Sequence, residues 1–152
     1  MPTDKKTMLE ALKMEILVIE KGGHHPSVHQ PHDDPRIFRD SVSCLNLGLG
    51  DDKKQYPCSS CFLIDFVPEH LKCSNEDPCH KIPLNARGDT VESLSRTSSP
   101  EDVQAAVLAW LELERERARC DLERAEERLG RLKGKSGASL LRVFLASIRR
   151  FE

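Results

Sequence analysis

The chain has 152 residues, a formal net charge of −2, and a composition 38% hydrophobic but only 5% aromatic. That length holds one ordinary domain, or a small domain with a helical appendage. The near-neutral total argues against bulk electrostatic binding to nucleic acid. One Trp, one Tyr and five Phe cannot build a large aromatic core, so a metal or covalent staple would help the chain fold.

Residues 1–12 are polar. From about residue 13, Met14, Ile16 and Val18 alternate with their neighbours and β-branched residues are frequent, which predicts a strand. A helix is the rival reading, because Met8, Leu9, Leu12, Ile16 and Ile19 share one helical face and Gly22 could close it. The Met14–Ile19 segment is too short for a signal-peptide core or a membrane span. The expected setting is therefore the reducing cytosol, where clustered cysteines serve as metal ligands or redox thiols more often than as disulfides.

Residues 22–35 read as loop, with His24, His25, His29 and His32 followed by Asp33 and Asp34. Imidazole and carboxylate ligands could form a metal site there. However, Pro26 and Pro31 forbid the helix on which such histidines are usually fixed, and a solvated surface loop is the simpler reading. The patch from Val42 to Leu49, which includes Cys44, predicts a second strand ended by Gly48, Gly50, Asp51 and Asp52.

Five of the six cysteines fall between Cys44 and Cys79, in the spacing Cys44-x13-Cys58-x2-Cys61-x11-Cys73-x5-Cys79, with His80 next to the last. A C-x2-C pair lets two thiolates converge on one ion, each about 2.3 Å from a zinc. No second C-x2-C completes the tetrahedron. The best quartet is Cys44, Cys58, Cys61 and Cys79, with Cys73 or His80 as replacements for Cys44. Zinc is favoured over iron–sulfur, since the spacing matches neither ferredoxin pattern. A thioredoxin-like dithiol at Cys58–Cys61 is the weaker reading: its nucleophile should open a helix, whereas the apolar Cys61–Val67 run reads as a buried strand. Buried, reduced thiols acting as small hydrophobes are the bland alternative. Pro68 starts a brief turn or helix through Leu71.

Residues 86–99 read as a polar linker. Ser99 as N-cap, Pro100 at the first helical position, and Glu101 and Asp102 in the first turn predict a helix start. A long helix is expected over 100–133. Val103, Ala106, Val107 and Trp110 form one apolar stripe on it. Leu108, Leu111, Ala118, Leu122, Ala125, Leu129 and Leu132 form a heptad-like seam interrupted by Arg115. Gly134 to Gly137 is expected to break it. A short amphipathic helix over 138–151 would then fold back and cover the seam, unless a second chain does so. Residues 130–152 carry six basic side chains against Glu152, a local excess of five positive charges. The Gly130–Ser136 stretch fails as a phosphate loop on glycine spacing and on the helix before it.

The resulting expectation is an α+β protein. Residues 1–85 form a cysteine-rich, β-rich, zinc-stapled module, 86–99 a linker, and 100–152 a helical region. No catalytic triad or nucleophile elbow is present, which lowers the expectation of an enzyme. The chain reads as a cytoplasmic protein-interaction or regulatory module, meeting a protein partner or a second copy through its C-terminal helices, with no transmembrane segment. A small thiol-redox or metal-dependent enzyme is the runner-up, using Cys58/Cys61 or the His24–His32 loop.

Overall fold

The computed structural model describes residues 4–22, 37–49, 53, 55–73 and 77–148, with the backbone alone from 132 onward. Its elements are α1 (Lys5–Glu20), α2 (Val91–Thr97) and α3 (Pro100–Ile148), with four short 3₁₀ turns between α1 and α2. Among the described residues there is no strand, so the expected α+β fold with a β-rich module is wrong and the chain is helical. It divides into two compact units, one through Glu116 and one from Arg117.

The strand expected from residue 13 is the second half of α1. Asp4 caps this helix, accepting from Thr7 N at 3.3 Å, and Gly22 at φ 77° ends it. Leu9, Leu12, Ile16 and Ile19 are buried at helical spacing, while Met14 and Leu17 lie outward, 48% and 44% exposed. Period 2 and period 3.6 both fit residues 13–20. The cap and the terminating glycine decide between them.

The second expected strand, Val42–Leu49, is a chain of tight turns closed by Cys44 N to Ser41 O, Leu47 N to Cys44 O and Leu49 N to Asn46 O. Its apolar pattern is inverted. Val42, Leu45 and Leu47 are exposed, whereas Ser41, Ser43 and Asn46 are buried. The reason lies on α1: Glu15 is fully buried, and its Oε2 accepts from Ser41 Oγ at 2.9 Å, Ser43 N at 3.1 Å and Ser43 Oγ at 2.6 Å. A carboxyl group placed inside a protein must be hydrogen-bonded, and here the turn segment supplies the donors.

The third expected strand, after Cys61, is a 3₁₀ turn, Phe62–Phe66, that buries Phe62 and Leu63, with Val67 buried just after it. It packs against the Pro78–Lys81 turn, which in turn packs against α2. Trp110 of α3 ties these segments together. Its ring lies edge-to-face on Phe38 (5.5 Å, 72°) and on Phe66 (5.1 Å, 86°). Phe38 is fully buried at φ 64°, the centre of a γ-turn closed by Arg39 N to Ile37 O at 2.7 Å. Such a backbone is strained by about 1–3 kcal/mol, and the aromatic contact holds it in place.

Residues 86–99 contain a turn, with Gly88 N bonded to Asn85 O, and then α2, whose Thr90 and Ser93 form a capping box. α3 starts where the sequence predicts. Ser99 Oγ accepts from Asp102 N at 3.2 Å and Val103 N bonds Ser99 O. Val103, Val107, Trp110, Leu111 and Ala118 are buried.

The expected break at 134–137 is absent: α3 runs on to Ile148, so no separate 138–151 helix folds back over it. Glycine weakens a helix by about 1 kcal/mol per residue relative to alanine, which does not by itself stop one, and no proline lies nearby. Of the seam, Leu111 is fully buried, Leu122 half-buried and Leu129 57% exposed, and the side chain of Leu132 lies outside the described residues. The ion pairs Arg119–Glu123 and Glu127–Arg131 are exposed and add little.

The Glu15 contact carries a definite expectation. Glu15→Leu keeps the bulk but strands the buried donors of Ser41 and Ser43, and each unmade bond costs about 1–3 kcal/mol. Urea unfolding should show a loss of at least about 2 kcal/mol, with a smaller loss for Glu15→Gln.

Candidate functional site

The candidate ligands sit on three segments, and a separate contact fixes each to its neighbour. Cys44 lies in the turn segment anchored by Glu15. Cys58 opens the Cys58–Ser60 3₁₀ turn and Cys61 follows it, with Cys61 N bonded to Cys58 O at 3.0 Å. Cys79 is in the Pro78–Lys81 turn.

Asn46 joins the first segment to the second. It is 7% exposed; its Oδ1 accepts from Gln55 N and Tyr56 N, both at 3.0 Å, and its Nδ2 donates to Tyr56 O at 2.8 Å. Cys61 Sγ reaches Ser43 O at 3.7 Å. The third segment is tied back by the Arg39–Asp77 ion pair (3.0 Å) and by His80 Nε2 against Ile37 O (2.8 Å).

Electrostatics shows what this arrangement brings together. Burial pushes the Cys61 thiol up, an N–H from Leu63 pulls it partly back, and Cys44 and Cys58 raise it further, with Asp65. The Cys79 thiol is pushed up to about 12, first by burial, then by Asp77, Cys58, Cys61 and Cys44. Cys44, Cys58, Cys61 and Cys79 therefore share one electrostatic neighbourhood, in which each thiolate opposes the ionisation of Cys61 and Cys79. Cys73 is exposed and is not among the thiols acting on those two. His80 already spends Nε2 on Ile37 O. Among the described residues, no three or more His, Cys, Asp or Glu side chains are assembled as a group that could hold a metal ion as they stand. The four thiols are neighbours without being a finished cage.

His24, His25, His29 and His32, with Asp33 and Asp34, lie outside the described residues. The sequence reading missed Glu15, Ser43 and Asn46. For Glu15 a signal was available: a glutamate between Leu12 and Ile16 on the apolar face of a helix. For Asn46 there was none, because its value depends on backbone ten residues away. Among the described residues, every buried side-chain N or O atom has a hydrogen-bond partner. No helix among them is long and apolar enough to cross a membrane.

No protein-family model, curated protein or solved structure matches the chain.

Thiol reactivity checks the geometry directly. In metal-free protein, iodoacetamide at neutral pH should modify the exposed Cys58 and Cys73 first and Cys79 last, because only the thiolate reacts. Site-resolved mass spectrometry over time reads the order. Early modification of Cys79 in the folded chain would contradict it.

Proposed function

We propose that this chain is a zinc-stapled interaction module, in which Cys44, Cys58, Cys61 and Cys79 hold the ion and the exposed face of α3 meets a protein partner or a second copy. What supports the reading is that Cys61 and Cys79, on different segments, both feel the charge of Cys44 and Cys58, and that Cys61 Sγ lies 3.7 Å from the Ser43 carbonyl, next in the chain to Cys44. A shared ligand would add to the polar contacts that already join these segments. Four thiolates cannot sit together uncompensated, whereas a divalent cation reverses the repulsion and draws them inward. Structural zinc bound this way contributes folding energy outright.

The partner reading draws on the unit from Arg117. There Leu129 is exposed amid charged side chains, in line with the upstream seam. The thiol-redox alternative needs a nucleophile with a depressed pKa, and Cys61 of the Cys58/Cys61 pair is shifted the other way.

Protein purified without chelator should contain about one zinc per chain by elemental analysis. Cys58→Ser and Cys61→Ser should lose the metal and lower the melting temperature. A metal-free chain whose stability does not respond to added zinc or to chelator would overturn the proposal.

A further inference from the structure

The Cys44 segment and the approach to Cys58 have no regular secondary structure to fix the distance between them, yet one side chain spans the gap. Asn46 lies two residues after Cys44 and holds the backbone of residues 55 and 56, two to three residues before Cys58. Its fit is chemically specific. Two N–H groups and one C=O converge on it, and a primary amide offers an acceptor oxygen with two lone pairs beside a donor nitrogen. Aspartate matches only the two donors, and alanine matches nothing. The amide itself is buried, although the backbone it holds belongs to exposed residues. Tyr56, whose backbone supplies two of the three contacts, leaves its own side chain 52% exposed. The contact therefore serves the path of the backbone and not the packing of that side chain.

We propose that Asn46 is a positioning residue for the metal, acting through the backbone of residues 55–56 to hold Cys58 within reach of Cys44. The proposal rests on the zinc reading above. Because the four thiols are not drawn into a cage, binding must move them, and Asn46 limits how far the Cys58 turn has to travel. Contacts that orient metal ligands from behind typically contribute ten- to a hundredfold in affinity.

The test is zinc affinity, measured on the full chain by competition with a chelating indicator, alongside the melting temperature of the metal-free protein. Asn46→Ala should bind zinc ten- to a hundredfold more weakly. Asn46→Asp, which keeps two of the three contacts, should fall between that and the wild type, and it preserves the test if the alanine variant does not fold. Tyr56→Ala leaves the clamped backbone groups intact and should bind as the wild type does. A wild-type chain that binds no zinc overturns the metal reading and this proposal together. A wild type that binds, with Asn46→Ala and Asn46→Asp of unchanged affinity, overturns the positioning role alone. So does a lower melting temperature in those variants without any loss of affinity.

Discussion

A single buried carboxyl group organises the N-terminal half of this protein. Glu15 projects from the apolar face of α1 into a site with no exposure to solvent, and three donors from Ser41 and Ser43 meet it there. Burying such a group is favourable only if its bonds are made, so the segment from Ser41 to Leu49 must lie where its serines can reach. This sets the direction in which that segment faces. Its polar side chains turn inward and Val42, Leu45 and Leu47 turn outward, against the ordinary sense of the hydrophobic effect. The outward residues lose burial, but the hydrogen-bonded alternative is specific in a way that apolar contact is not. From this anchor the other cross-links follow in order: Asn46 to residues 55–56, Ser43 to Cys61, and residues 37–39 to the turn that carries Cys79.

The apolar core complements this polar scaffold. Trp110 packs edge-to-face on both Phe38 and Phe66, so α3 is joined to the segment before Cys44 and to the turn after Cys61. With few aromatic residues in the chain, concentrating three of them at one place gives the irregular segments a shared point of attachment. The strained turn at Phe38 makes sense in this setting. Its positive φ is stabilised by the ring contact, and the same turn presents the Ile37 carbonyl to His80. Polar anchoring and aromatic packing thus act on the same short stretch, and together they fix the segments that carry the four thiols.

Much of the helical half was legible in the sequence because helix starts have local chemistry. Ser99, Pro100, Glu101 and Asp102 fix the beginning of α3, and its buried stripe follows from residue spacing alone. Its end was not legible. Gly134 and Gly137 lower helix propensity without forbidding a helix, and composition alone does not say whether a helix continues through them. In α1 the ambiguity was real over residues 13–20, and it was resolved by Asp4 and Gly22, which lie outside that window. The segment from Val42 to Leu49 reads as a strand from its apolar content, whereas its neighbour on α1 is a glutamate that its serines turn inward to meet. For the site, the clustering of Cys44, Cys58, Cys61 and Cys79 was visible as spacing. Asn46 and Ser43 were not, because their partners are distant in sequence and their contacts are to backbone atoms, which carry no sequence signature.

We propose that four sulfurs from three irregular segments surround one zinc ion. X-ray absorption at the zinc edge of the metal-loaded full chain counts those neighbours by element and distance. A four-thiolate site gives a single shell of four sulfurs at about 2.3 Å, with no nitrogen or oxygen at about 2.0–2.1 Å. A mixed shell containing imidazole nitrogen or carboxylate oxygen, or fewer than four sulfurs, would contradict it.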